Sequence, residues 1–117
     1  MLDGSVHLYP QDGPLLRGGP EVLDLIGEAC WNARASWVAV PAERLHDDFF
    51  VLSTGVAGEI AQKFVNYGVG LAVVGDISRH VAASSALTAW VTESNRGRHL
   101  WFVRDLDDLA ARRAALG

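Results

Sequence analysis

Three short runs dominated by apolar residues, WVAV at 37–40, VGLAVVG at 69–75 and HLWFV at 99–103, alternate with longer stretches whose apolar residues recur at three and four. A strand covered on both faces reads as a nearly unbroken apolar run. An amphipathic helix reads at the three-and-four spacing. A chain that alternates the two has few folds open to it. Its strands lie mainly parallel in one sheet, and its helices serve as right-handed crossovers.

From Glu21 to Arg34, residues Val22, Leu23, Ile26, Ala29, Cys30 and Ala33 form one apolar stripe, and Pro20 suits a first helical position. A second helix runs from about Ser85 to Arg96 with Leu87, Trp90 and Val91 inward, and Gly97 is its expected left-handed stop. Asp105 is expected to cap a final helix that carries Asp107 and Asp108 at its start and Arg112 and Arg113 near its end, the order the helix dipole favours. Ahead of these, SVHLYP and PLLRG flank QDG, where Asp12-Gly13 signals a turn, so an antiparallel hairpin is expected. In the connection PAERLHDDFFVLST, Asp47 or Asp48 is expected to cap a short turn that carries Phe49, Phe50 and Leu52 inward. The expected fold is a single α/β domain over residues 1–117. Its small open, mostly parallel sheet has about five strands, an N-terminal antiparallel hairpin at its edge and about four helices.

Length and charge exclude several classes. A chain of 117 residues suits one domain with a real core. A net charge of −4 argues against a nucleic-acid backbone as partner. The single cysteine, Cys30, cannot form an internal disulfide, so a reducing compartment is expected. The opening residues have neither a basic nor an apolar leader region, and no apolar run reaches the roughly 20 residues of a membrane span. A cytoplasmic protein without membrane contact is the resulting expectation.

The stretch STGVAGEIAQKFVNYG, residues 53–68, looks like a functional loop. On a helical wheel Ala57, Ile60, Ala61, Phe64 and Val65 share one side, and Glu59, Gln62, Lys63 and Asn66 the other. Ser53 or Thr54 is a natural helix cap, and Gly68 a natural stop. The pattern lacks the GxxxxGK[ST] phosphate loop, and its glycines do not follow a strand as a dinucleotide fingerprint requires. A helix start with Ser53, Thr54, Gly55 and Gly58 can still hold an anion or serve as a switch. Capping and packing explain the same residues without a ligand.

The segments LSTGVAGEIAQKFVNYG, LAVVGDIS and ESNRGRHLWFV together resemble DUF4180, a bacterial family described as a domain of unknown function, over about residues 46–104. Gly70 stands where family members often carry a basic residue, so no basic group is expected to act at that strand's start. The resemblance implies the α/β fold and no particular activity. The element order is also similar, more distantly, to the STAS-like domains of anti-sigma-factor antagonists. That likeness places Ser53 or Thr54 where a regulatory hydroxyl is phosphorylated, although the DSSG of those domains is absent here. Phosphate at a helix start is electrostatically tolerated.

No catalytic set emerges elsewhere. The nucleophile elbow GxSxG is missing. His46, Asp47 and Asp48 are adjacent on a turn, an arrangement that rarely converges on one metal. Cys30 lies on an inward arc and reads as a buried thiol. Asp76 closes a buried strand at its C-terminal end, where open α/β sheets gather ligands. Asp76, Glu93 and Asn95 could surround a shallow ligand site near Ser53 and Thr54, or each could serve a cap or helix stop. Trp31 sits nearly opposite the apolar stripe of its helix and marks a partner or self-association face, as in a homodimer. Trp37, Trp90 and Trp101 read as core. The expectation is a non-enzymatic regulatory or protein-interaction module of STAS-like architecture, without cofactor or metal. The alternative is a small-ligand binder or small enzyme with its site near Thr54 and Asp76.

Overall fold

The computed structural model describes residues 6–18, 20–32 and 35–115. It is an α/β structure with four strands, β1 (Val6–Leu8), β2 (Trp37–Pro41), β3 (Gly70–Val74) and β4 (Leu100–Val103). All pair in parallel in the order β1-β2-β3-β4. The helices are α1 (Pro20–Gly27), α2 (Val56–Asn66), α3 (Ser78–Ala83), α4 (Ser85–Arg96) and α5 (Leu106–Ala115). Among the described residues no helix is long and apolar enough to cross a membrane.

A sheet whose strands follow one another in sequence order steps sideways in one direction. Right-handed crossovers then all fall on one face. Accordingly Val22, Ile26, Ala57, Ile60, Phe64 and Leu87 from α1, α2 and α4 pack on Val38, Val40, Leu71, Val73 and Phe102. The opposite face carries Trp37, Ala39, Ala72, Trp101 and Val103, and α5 covers part of it through Leu109. On that face the indoles of Trp37 and Trp101 reach across β3 and stack, with centroids 4.2 Å apart and planes 24° apart. Gly70 lies beneath Trp37, and a Cβ there would meet the ring 2.5 Å from Cε2 and 2.6 Å from Cε3. The glycine at the start of β3 is therefore a packing requirement of the indole pair.

Among the described residues the expected antiparallel hairpin and fifth strand are absent. β1 pairs in parallel with β2, and the PLLRG segment contributes only an isolated parallel bridge between Leu16 and Leu45. The reason is Arg44, which is 4 % exposed beneath the loop after β1. Its guanidinium donates to the carbonyls of Pro10, Asp12 and Pro14 and to the Tyr9 hydroxyl, and lies over the Tyr9 ring. A loop wound around a guanidinium has its carbonyls committed and cannot fold back as a strand.

Other boundaries differ locally. The first helix widens into a π turn over Glu28–Asn32, and the last two residues expected in it, 33 and 34, lie outside the described residues. The short turn at Asp47–Phe50 buries Phe49 and Phe50 as expected, but its cap is His46, whose Nδ1 accepts from the Asp48 N–H at 3.0 Å. The helix α3 is additional, because the three-and-four pattern is too short to show there. Gly97 has φ −92° and is not left-handed. Asp105 accepts from the Asp108 N–H while Asp108 accepts from the Arg104 N–H, and these two bonds start α5.

Candidate functional site

The three crossovers leave the C-terminal ends of β1, β2 and β3 toward one face, whereas β4 leaves toward the other through α5. Loops that part in opposite directions open a crevice between the strands they leave, and ligands of open α/β sheets bind in such crevices. A cleft of about 520 Å³ lies at this reversal, between the ends of β3 and β4. Its walls are Ile77, Val81, Val91, Phe102 and Val103, and Asp76, Ser78 and Arg104 border it. The volume falls within the range of small-molecule sites.

Asp76 Oδ1 accepts from the Ser78 N–H at 2.8 Å, which starts α3. Hydrogen bonds from the Ser78 hydroxyl and then its backbone N–H hold the Asp76 carboxyl below its ordinary value. An ionised carboxylate with a depressed pKa is a poor proton acceptor. The crevice thus offers an apolar floor with one fixed negative and one positive group at its mouth. It holds no paired nucleophile and base among the described residues. Walls of this kind suit an amphipathic molecule better than a fully polar one.

A second cleft, of about 530 Å³, lies on the other side of α3. Ser53 borders it together with Arg79, His80 and Ser84. The His80 ring stacks on Phe50 with centroids 4.0 Å apart. Removal from water, and then the Arg79 charge, press the His80 pKa below its ordinary value against the opposing pull of Asp47. Arg79 also lies 3.8 Å from Asp47.

The residues singled out in the sequence divide between these places. Thr54 Oγ1 is tied into its own turn, against the carbonyls of Asp48 and Val51, and accepts weakly from the Val56 N–H at 3.3 Å. Ser53 makes no such bond among the described residues and faces the second cleft. The residue at the helix start is Gly55, left-handed with φ 81°, without a side-chain cap. Space is open in front of both Gly55 and Gly58. Asp76 borders the crevice, but Glu93 and Asn95 are not among its lining residues. Glu93 is exposed and lies 3.7 Å from Arg96. The Asn95 amide pairs with β4: its Oδ1 accepts from the Phe102 N–H at 2.8 Å and its Nδ2 donates to the Phe102 carbonyl at 3.3 Å. Trp31 is 80 % exposed on the π turn. Arg79, His80 and Arg104 were not singled out in the sequence. Arg104 directly follows a buried strand, as Gly75 and Asp76 do, and that position was the available signal. Among the described residues no group of three or more His, Cys, Asp or Glu is placed to hold a metal ion.

Among the described residues the chain is a parallel α/β structure with a cleft at the C-terminal ends of β3 and β4. The family model described as a domain of unknown function, DUF4180, matches residues 3–113. The chain belongs to that family. Neither the curated proteins nor the solved structures yield a significant match.

Proposed function

We propose that this protein is a non-enzymatic regulatory module of STAS-like architecture that binds a small amphipathic molecule in the crevice between β3 and β4. The observation that carries the reading is the coincidence of a cleft of about 520 Å³ with the one reversal of connection direction in the sheet. The apolar walls supply affinity, and Asp76 and Arg104 orient a polar end. The one-way order of β-α units is in keeping with the STAS likeness. Titration of a diverse small-molecule set, followed by backbone amide shifts, tests the proposal. Binders should shift Ile77, Ser78 and Arg104, and Val91→Arg should abolish those shifts in a chain that still unfolds cooperatively, at a somewhat lower midpoint because Val91 also packs on the core. Shifts clustered elsewhere, or unaffected by Val91→Arg, would refute it.

A second reading is favoured by the exposed Ser53 hydroxyl beside Arg79 and His80. Phosphate there would pair with the Arg79 guanidinium in place of Asp47, and so make the second cleft a switch that alters a protein contact. Ser53→Ala should remove the response to phosphorylation, and Thr54→Ala should not. Trp31 is the exposed aromatic surface available to a protein partner or a second copy, and Trp31→Ala should lower the oligomeric mass if that face self-associates.

A further inference from the structure

The two edges of the sheet are finished differently. Backbone groups of successive strand residues point to opposite sides, so the outward groups of β4 include those of Phe102. The Asn95 amide closes them by accepting from the N–H and donating to the carbonyl, as a neighbouring strand would. At the other edge, the Tyr9 N–H donates inward to the Ala39 carbonyl at 2.9 Å. By the same alternation the N–H and carbonyl of Leu8 point away from β2. No described strand pairs with that side.

Two different surfaces flank this open edge. On the face of the helix layer, a cleft of about 460 Å³ runs between β1 and α1, and the exposed carboxylates of Glu21 and Asp24 border it with His7. On the opposite face, Leu8 and Leu106 are half exposed beside shallow grooves of about 240 and 250 Å³. Val6, Ala39 and Val74 line their floor. One side carries acidic groups and the other is mainly apolar with Arg113 at the rim of one groove, and Leu8 borders all three hollows.

We infer that the β1 edge receives an extended segment of a partner protein in which basic and apolar residues alternate. Side chains of an added strand point alternately to the two faces. Basic ones would meet Glu21 and Asp24, and apolar ones would lie against Leu8 and Leu106. Main-chain bonds to Leu8 fix the register. Pro10 lacks an N–H and ends the edge, so the segment is short. A second copy of this chain is the poorer occupant. Two β1 strands paired about a two-fold axis normal to the sheet keep like faces together. That would bring Glu21 and Asp24 toward their own copies, and like charges across a strand pair repel.

The experiment measures polarisation of a labelled peptide of alternating lysine and valine on the intact protein. A peptide of equal composition with its lysines grouped, and one with glutamate for lysine, are the comparisons. The alternating peptide should bind at least about tenfold tighter than either. The exposed changes Glu21→Gln and Asp24→Asn together should weaken it about tenfold at low salt, from two surface ion pairs. N-methylation of the peptide residues that bond Leu8 should abolish binding, and methylation of the intervening residues should not. Equal binding of the grouped peptide, or indifference to methylation, would overturn the proposal. So would a dimer held together through β1 in solution. Val91→Arg should leave peptide binding unchanged, which separates this edge from the crevice.

Discussion

Replacing Gly70 by alanine tests the packing of the indole pair. The added methyl carbon would lie 2.5–2.6 Å from two ring atoms of Trp37, about 1 Å inside ordinary contact. Trp37 cannot yield toward Trp101, whose ring is already stacked on it. Trp101 is itself held: its Nε1–H donates to the Gly97 carbonyl at 2.9 Å, and the Arg112 guanidinium lies 5.0 Å from its ring centre. Trp37 must therefore slide outward and lose the stack. Overpacking costs about 1–3 kcal/mol, and the lost stack about 0.5–1.5 kcal/mol. Against this, alanine restricts the unfolded chain and returns about 0.4–1 kcal/mol. The net expectation is a loss of about 0.5–4 kcal/mol, or a fall in Tm of roughly 2–16 °C for a chain of this size. Urea unfolding followed by tryptophan fluorescence measures it, and near-ultraviolet circular dichroism should lose the signal of the coupled indoles. Combining Gly70→Ala with Trp37→Val should recover part of the loss, because the methyl then fills vacated space. A neutral or stabilising Gly70→Ala would refute the reasoning, since alanine is ordinarily the better strand residue.

Three further outcomes follow from the contacts described. Arg44→Lys keeps the charge but cannot serve carbonyls of Pro10, Asp12 and Pro14 together. It should cost about 1–3 kcal/mol in urea unfolding and speed amide exchange in the loop after β1. Asn95→Asp retains an acceptor for the Phe102 N–H but sets a carboxylate against the Phe102 carbonyl. It should destabilise by about 1–2 kcal/mol, seen as a lower urea midpoint at neutral pH and a smaller deficit in acid. His80 has a folded-state pKa below its ordinary 6.5, from removal from water first. The unfolded chain thus binds more protons near that value, so the contribution of His80 is full above 6.5 and is lost as pH falls. The Tm of the parent should drop relative to that of His80→Phe between pH 7.5 and 5.5, and parallel curves would contradict the assignment.

The main elements were legible because burial leaves a local periodic trace. The runs around Val38, Val73 and Phe102 could only be strands covered on both faces, and Ile60 with Phe64 could only face a core. Asp105 as a cap, with Asp107 and Asp108 in the turn after it, announced a helix start. The hairpin was misread because QDG is a genuine turn signal, and nothing nearby shows that Arg44 will enter from some thirty residues away to take up the loop's carbonyls. The bond from Asn95 to β4 was not legible for the same reason. An asparagine before Arg96-Gly97 is an ordinary helix-stop residue until β4 is seen to run beside it.

By itself the sequence determined the strands β2, β3 and β4, the helices α1, α2, α4 and α5 to within a few residues, and which family the chain joins, because those properties depend on neighbours within a few residues. Strand order belongs to the tertiary structure. It decided that α5 turns to the opposite face, that the crevice opens between β3 and β4, that Arg104 borders it with Asp76 while Glu93 and Asn95 do not line it, and that Asn95 closes β4 at Phe102 while no described strand pairs beyond β1. Periodicity says how much of a segment is covered; only the packed arrangement says by what.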